Sequence, residues 1–414
     1  QETDGTYNVA VGREALKTQN GGTYNIGIGR TAGMLITTGI RNVIIGGNAG
    51  DALTDADHNV AIGFQALTTD TLGSRSIAIG HNALANQNFT TATNSNNVAI
   101  GYSAGDATTT GVQNTYLGAE AGDAVTTGTN NLYVGYGAGT SDTQSTQTTI
   151  VGAQAGTSFN PGSAISYTTI VGFQAGYYNA TGTGNTYVGH RAGFGVSGNS
   201  QSGNTVVGAL AFDVVTTGNN NTIVGNQAGD SITSGDNNVI VGHASDCAAT
   251  DSNTIVLGQS VQAVGSSNFT FGAGSTDSNI AAGATTITAP SDERYKENIA
   301  DSTAGLSFIN DLRPVTFQWK KEKDVPEDHK SYVEDSDKRV MNSDGETNHG
   351  FIAQEVKAAI DNHDEIKDGF DMWSEEGAEG QGGRQRVAPA ALIPMLVKAI
   401  QELSAEVEKL KSGG

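Results

Sequence analysis

The residues whose types and spacing suggest a small-molecule site lie inside a repeat. Gly27, Gly29 and Ala32 fit the G-x-G-x-x-A pattern that holds a dinucleotide. The same register recurs along the chain without a β-α-β unit, so we expect no cofactor there. Acidic residues are too sparse for a calcium-binding β-roll, and threonine is too irregular for an ice-binding face.

Histidine and cysteine are the other candidate ligands in the first 290 residues. Because each histidine stands alone in its repeat, we expect surface or turn positions and no metal site. The single cysteine, Cys247, excludes an intrachain disulfide framework and cysteine-based clusters, and we expect it to be small and buried. The scattered histidines are His58, His81, His190 and His243.

Carboxylates in this region do not suggest catalysis. A glycan hydrolase needs two carboxyl groups that face one groove, and Glu120, Asp123 and Asp142 form no evident pair. An enzyme on this part of the chain is therefore a minor alternative. Binding, if this region has it, would use the loop insertions at 86–96 and 159–167.

Charge and hydropathy exclude other classes of function. The formal net charge is −21, which disfavours nucleic acid and anionic membrane surfaces as partners. No apolar run approaches the length needed to insert into a bilayer. The segment 1–4 has neither region of a signal peptide, and we expect the chain to begin partway into a longer protein.

A 17-residue repeat dominates residues 1–258. Its unit is Asn–apolar–x–apolar–Gly, two variable residues, then Ala and usually Gly, as in the stretches that begin at Asn25, Asn97 and Asn221. The glycine that closes each short strand occurs in 15 units, and 10 of the 14 intervals between them are 17 residues long. Such a short fixed period predicts a solenoid with one strand in each coil. Stacked asparagines would form an amide ladder.

The strand of each coil is apolar on both faces. Positions two and four, such as Val43 and Ile62, are aliphatic and are expected to fill the coil interior. Position three, such as Ala61, Tyr116 and Ile150, points the other way. A strand that is apolar on both faces is covered on both faces. We therefore predict a parallel homo-oligomer with position three near the shared axis.

The repeat resembles a known fold. Asn–apolar–Ala–Ile–Gly followed by Ala-Gly is similar to the left-handed parallel β-roll in the heads of trimeric autotransporter adhesins, which also occurs in phage fibre proteins. The resemblance implies a trimer, and it is weak for function because such rolls serve both as stalks and as binding heads.

The composition changes near residue 290. Residues 1–290 hold 23 charged side chains, whereas 291–414 hold 42 and both tryptophans. This step marks a domain boundary near 290, and a Ser/Thr/Gly/Asn-rich stretch leads up to it. We therefore expect a repeat domain at 1–258, a linker or neck at 259–290 and a small α+β domain at 291–414. Taken alone, Ser291 is a good helix N-cap with Asp292 in the first turn and an Asp292–Lys296 pair.

The second part as a whole resembles one family. Ser-Asp-x-x-x-Lys-x-Asn-Ile at 291–299, Gly-Phe-Ile-Ala-Gln-Glu-Val at 350–356 and a leucine-spaced terminal helix are similar to the C-terminal intramolecular chaperone of phage endosialidases, tail spikes and tail fibres. That domain trimerises, guides folding of the fibre before it, and then cuts itself off. The resemblance implies a fibre on a virion that binds a host receptor or glycan. A bacterial surface adhesin with the same tail, or a trimerisation domain that does not cleave, is the alternative.

The resemblance also implies catalytic residues. Ser291 matches the nucleophile, Lys296 matches its partner in a Ser-Lys dyad, Asp292 flanks the cut, and His349 corresponds to a histidine needed for cleavage. The lysine must be buried to act as a base. The resemblance favours the Ser291–Asp292 bond, whereas an N-to-O acyl shift would cut Pro290–Ser291. The reaction is single-turnover, acts on the chain itself and needs no cofactor.

The last helix carries a heptad pattern. Isoleucine or valine at a and leucine at d favour two strands in an isolated parallel coiled coil, whereas the resemblance implies three. We predict a homotrimer. The a positions are Ile393, Ile400 and Val407, and the d positions are Leu396, Leu403 and Leu410.

Overall fold

Residues 1–414 fold into two compact units, Gln1–Ser291 and Asp292–Gly414. The structure is a computed structural model, which describes residues 5–163, 165–284, 286–289, 291–327, 331–341, 345–367, 370–375 and 385–413. Short β-strands and the turns between them make up the described part of the first unit, whereas the second mixes three α-helices with short antiparallel strand pairs. The predicted mainly β fold class is confirmed.

The first unit is a parallel β-solenoid. Successive coils each add one strand, and equivalent residues stack directly, as Tyr133 does on Tyr116 and on Ile150. The structure continues the stack one coil beyond the repeats counted in the sequence. The strands of the main sheet are β1 Val9–Val11, β2 Ile26–Ile28, β3 Val43–Ile45, β4 Val60–Ile62, β6 Ile77–Ile79, β8 Val98–Ile100, β9 Thr115–Leu117, β10 Leu132–Val134, β11 Thr149–Val151, β12 Thr169–Val171, β13 Thr186–Val188, β14 Thr205–Val207, β15 Thr222–Val224, β16 Val239–Val241, β17 Ile255–Gln259, β18 Asn268–Ala273 and β19 Thr276–Ala281.

Two features depart from the regular stack. Strands β5 (Gly73–Ser74) and β7 (Thr93–Asn94) form a separate parallel pair where the coil is longer. At the other end, β19 pairs with β18 in the antiparallel sense and ends the parallel series. An antiparallel strand covers the edge of β18, which a further coil would otherwise occupy.

The interior of the solenoid is the reverse of the sequence expectation. Position three fills the coil: the side chains of Ile44, Tyr116 and Ile150 have no exposed surface. Positions two and four point outward, and Leu117 is 44% exposed. The prediction that positions two and four are inside was therefore wrong, as was the placement of position three on an outer face.

Asparagine at position one explains this orientation. Asn42 is buried, its amide nitrogen donates to the Ala56 carbonyl across the coil at 2.7 Å, and its backbone N–H donates to the Asn25 side-chain oxygen at 2.9 Å. Positions one and three share a face of the strand because side chains alternate. Burying the asparagine therefore buries position three. The expected asparagine ladder is present, with most rungs formed by backbone N–H groups.

The ladder is modified where asparagine is replaced. Position one is Ser76 in one coil, where it accepts from Gln87 at 2.9 Å, and Thr148 in another, where it donates to Ser145 at 3.1 Å. Asp70 accepts from the Gln87 amide at 2.6 Å, and Gln87 also donates to Ser76. Burial raises the pKa of Asp70 above its usual value. These buried polar groups were not predicted from the sequence, although a serine or threonine in place of the position-one asparagine was a visible signal.

The second unit has one small hydrophobic core. Its α-helices are α1 Leu306–Asp311, α2 Ala353–Asp361 and α3 Ile393–Ser412. Phe308, Val356 and Met372 are fully or almost fully buried between them. Short antiparallel pairs complete the unit: β20 Val315–Phe317 with β21 Asn348–Gly350, and β22 Trp373–Glu375 with β23 Gln385–Val387.

Helix α3 packs on α1 through one face. Glu402 of α3 accepts a hydrogen bond from the backbone N–H of Leu306 at 2.8 Å. The carboxylate therefore caps the start of α1, where Gly305 supplies no side-chain cap. The heptad side chains lie on other faces and are exposed. Their exposed fractions run from 40% at Val407 to 78% at Leu410.

Candidate self-cleavage segment

Ser291 and Asp292 lie at the junction of the two units. Ser291 is the last residue of the first unit and Asp292 is the first residue of the second. Ser291 is exposed. The bond favoured by the family resemblance thus coincides with the boundary between the compact units. Pro290, on which the alternative bond depends, lies outside the described residues.

Asp292 begins a single 3-10 turn, Glu293–Tyr295. Its side chain accepts from the backbone N–H of Arg294 at 2.9 Å and from the Arg294 guanidinium. The Arg294 hydrogen bonds lower the pKa of the Asp292 carboxyl. The N-cap is therefore Asp292 and not Ser291, and its ion partner is Arg294 and not Lys296, because the helix expected from the sequence is only one turn long.

Lys296 ends that turn. Its backbone is extended, with φ −119° and ψ 142°, and its N–H donates to the Glu293 carbonyl at 3.0 Å. The side chain is exposed. A lysine acts as a general base only when it is neutral, and loss of water around it is the usual cause of a lowered pKa. The single chain does not supply that burial.

His349 lies in the middle of β21, opposite Thr316 of β20. Its side chain is exposed. The strand leads through Gly350 into α2, which begins at Ala353, so the sequence motif at 350–356 is a strand end followed by a helix start. Glu355 of this motif forms an ion pair with Arg313, and this pair ties the start of α2 to the segment after α1.

A different histidine is built into the core of this unit. His363 follows α2 and is about one-tenth exposed, with Asp311 of α1 at 2.8 Å from Nε2 and Glu365 at 3.2 Å from Nδ1. The ring meets Phe308 edge-on. The hydrogen bond with Asp311, and then Glu365, raises the pKa of His363. Nothing in the sequence distinguished this histidine from its neighbours.

The motifs in the repeat region take structural positions. Gly27 faces Leu16 in the coil interior, and Cys247 is buried, with burial raising the pKa of its thiol to about 12. Asp142 is also in the interior, where Tyr133 and Ser145 donate to it. It therefore faces no groove. Within the described residues, no cluster of three histidine, cysteine or acidic side chains has the arrangement of a metal site.

The charge of Glu120 acts on Asp123, which lies three residues further along the chain. Burial raises the pKa of Asp123, and the neighbouring charges of Glu120 and Asp106 raise it further. Each of the two longer coils buries one phenylalanine side chain, Phe89 in one and Phe159 in the other. Along the described chain, no helix has the length and apolar character to cross a bilayer.

Comparison with known proteins identifies the C-terminal segment. Residues 291–365 match the model of the family described as the chaperone of endosialidase. The matched segment begins at Ser291 and includes Asp292, Lys296, His349 and His363. Searches of curated proteins and of solved structures gave no match. The chain therefore carries a chaperone domain of this type after its β-solenoid.

Proposed function

We propose that the protein is a trimeric fibre or adhesive appendage of a virion whose C-terminal domain drives trimerisation and folding, and then cuts the chain at Ser291. The observation that carries this proposal is the family match, which starts at the proposed cleavage serine. A location on a bacterial surface is the alternative. The partner bound by the solenoid would be a host receptor or glycan.

The outer face of the solenoid supports self-association. All but four of the exposed large hydrophobic side chains between Tyr7 and Leu257 occupy positions two and four or the two positions that flank the strand. Exposed apolar surface of this extent on one face is typical of an interface. The shared axis would therefore be lined by positions two and four.

Helix α3 supports the same conclusion independently. Ile400 is 64% exposed and Leu403 is 50% exposed, although both belong to the heptad pattern. Ala399, on another face of the helix, is buried against the unit itself. A helix that already packs on its own domain and still presents an apolar seam is suited to a coiled coil between copies.

Cleavage would proceed by one of two chemical routes, which cut different bonds. In the N-to-O shift, the Ser291 hydroxyl adds to the preceding carbonyl, the Pro290–Ser291 C–N bond breaks, and the proton passes through Lys296 to the amine. Water then hydrolyses the ester. For the Ser291–Asp292 bond, water oriented by the Ser291 hydroxyl would add to the Ser291 carbonyl, the C–N bond to Asp292 would break, and the Asp292 nitrogen would take the proton that the water loses. Direct attack by the Ser291 hydroxyl on its own carbonyl would need a strained four-membered ring.

Intact-mass spectrometry of freshly expressed protein tests the proposal. We expect two fragments from the wild type, and one chain from Ser291→Ala and from Lys296→Arg, because an arginine cannot act as a neutral base. Ser374→Ala, which changes an exposed serine of the same unit, should cleave normally. The two possible bonds give fragments that differ by one serine residue.

A trimerisation domain that does not cleave is the second candidate. The exposure of Lys296 in the single chain favours it, because a lysine that serves as a general base is held in a buried site. An uncut wild-type chain that light scattering shows to be trimeric would select this candidate and reject the peptidase role. A monomer or dimer would reject the trimer.

A further inference from the structure

The chain that leads to Ser291 returns to the end of the solenoid. After β19 it turns at Ala282 and Gly283, and Thr288 then forms an antiparallel bridge with Asn279 of β19. The backbone N–H of Thr288 donates to the Asn279 carbonyl at 2.8 Å, and the Asn279 N–H donates to the Thr288 carbonyl at 2.7 Å. Two reciprocal hydrogen bonds of this kind make the hydrogen-bonded pair of an antiparallel ladder. Residue 288 therefore lies beside β19 as a further strand would.

Asn279 is a firm anchor for this bridge. It is 8% exposed, and its side-chain amide donates to the Asn268 side-chain oxygen and to the Thr270 hydroxyl of β18, each at 3.2 Å. Its carbonyl also accepts from the Thr288 hydroxyl at 3.1 Å. Strand β19 pairs with β18 along all six of its residues. The bridge therefore ties residue 288 to the paired strands at the end of the solenoid.

The bridge lies on the solenoid side of the proposed cut and close to it in the chain. Thr288 precedes Ser291 by three residues. Residues 286–289 are exposed, so apolar burial contributes little to holding them in place. The two backbone hydrogen bonds and the threonine hydroxyl therefore set the path of the chain towards Ser291.

We propose that this bridge positions the chain for self-cleavage, with the backbone of Thr288 as the positioning group. The inference rests on the proposed cut at Ser291 and adds a residue outside the Ser-Lys dyad. In either route to cleavage, a nucleophile must reach one carbonyl carbon at a defined distance and angle. A backbone pair that holds the preceding chain extended removes rotations that the reaction would otherwise have to restrict. The edge of a sheet holds a bound peptide in the same way.

The rate of self-cleavage in the full chain tests this inference. Thr288→Pro removes the N–H that donates to Asn279. Intact-mass time courses during cell-free synthesis should then show cleavage slowed at least about tenfold, because a small misplacement near reacting groups is costly. Thr288→Val keeps the N–H and loses only the hydroxyl, so it should cleave within about twofold of the wild-type rate.

Ile287→Pro is the matched control. Successive residues of an antiparallel strand point their N–H groups in opposite directions, so this substitution removes an N–H that faces away from β19. We expect it to cleave at the wild-type rate. Slowing equal to that of Thr288→Pro would show that any proline in this segment impairs cleavage, and it would overturn the role of the bridge.

A second variant separates positioning from stability. Two glycines inserted between Ala289 and Pro290 keep the bridge but loosen the chain between it and Ser291. Cleavage should slow as in Thr288→Pro, while the solenoid melts at the wild-type temperature, and this variant replaces Thr288→Pro if that one misfolds. A wild-type cleavage rate in the insertion variant overturns the positioning role and leaves the cut at Ser291 standing. A wild-type chain that stays uncut rejects both.

Discussion

At the residue scale, glycine at position five controls how closely coils stack. Gly46 has φ +138°, and an added Cβ would lie 2.3 Å from the Gly63 carbonyl oxygen. Its neighbour Gly47 has no positive φ, and an added Cβ would approach only the Phe64 ring, at 3.3 Å. The repeat therefore needs glycine at one position and merely tolerates it at the next.

We expect Gly46→Ala to lower the free energy of unfolding by about 3 kcal/mol or more, from backbone strain and a clash with a carbonyl that cannot move alone. Gly47→Ala should change it by less than about 1 kcal/mol. Urea unfolding followed by circular dichroism measures both. Equal effects of the two substitutions would show that the close approach of adjacent coils does not limit stability.

The asparagine ladder is the second residue-scale feature. Asn114 donates from its side chain to the Gly128 carbonyl at 2.8 Å and accepts from the backbone N–H of Asn131 at 3.0 Å. Asn114→Ala leaves two buried backbone groups without partners, so we expect a loss of about 2–4 kcal/mol in the free energy of unfolding. Asn226→Ala removes one exposed hydrogen bond and should cost under about 1 kcal/mol. Denaturant curves with similar midpoints would contradict this account.

His363 makes the stability of the second unit depend on pH. Its folded-state pKa is raised above the ordinary 6.5 by Asp311 and Glu365. The charged ring therefore stabilises the fold fully below pH 6.5, and this contribution is lost as pH rises through the raised value. We expect the melting temperature of this unit to fall as the pH rises above about 6.5. His363→Gln should flatten that dependence, whereas His349→Gln, an exposed control, should keep it. An unchanged slope in His363→Gln would rule out the linkage.

At the element scale, α3 has one face for its own domain and another for association. Ile400 is exposed in the single chain, so Ile400→Asp should leave the fold intact. In a coiled coil the new aspartate would place a charge at heptad position a, inside the interface. We therefore expect association to weaken at least a hundredfold. Gln401→Asp adds the same charge next to the seam and should have little effect. Sedimentation of the full chain distinguishes the two, and equal sedimentation would exclude a coiled-coil contact at Ile400.

At the scale of the whole molecule, the exposed face of the solenoid predicts stability that depends on protein concentration. Folding coupled to association raises the melting temperature as concentration rises. We expect such a rise over about a hundredfold range of wild-type concentration. Leu117→Asp, on the outer face of β9, should reduce the rise, whereas Thr127→Asp, on an exposed turn, should not. A melting temperature independent of concentration in all three proteins would mean that the face is not an interface.

The sequence was sufficient to predict the solenoid but not which face of each strand is buried. The 17-residue period and the recurring glycine can be read directly from the order of residues along the chain, and they correctly predicted a parallel solenoid. The direction of each strand face was not accessible from hydropathy, because Val43, Ile44 and Ile45 are all apolar. The asparagine at position one would have decided it, because side chains alternate along a strand and a buried asparagine therefore turns position three inward as well.

For the candidate site, too, the sequence indicated which residues to consider but not the surroundings of each one. Ser291, Asp292, Lys296 and His349 were predicted from sequence motifs, and the family match begins at the first of them. Their local environment was not predictable. Whether a serine caps a helix depends on where the helix begins. Here Asp292 is the N-cap of a single 3-10 turn, because its carboxylate accepts a hydrogen bond from the backbone N–H of Arg294. The role of His363 depends on Asp311, 52 residues away.

The amino-acid sequence by itself determined the repeat, the change of composition near residue 290 and the motifs of the C-terminal segment, because each is a local or periodic property of the chain. The tertiary structure alone decided which strand face is buried, which polar groups enter the core and which histidine is held between carboxylates. These depend on contacts between residues far apart in the chain. Geometry and the balance of desolvation against hydrogen bonding select among such contacts, and neither is visible in a single stretch of sequence.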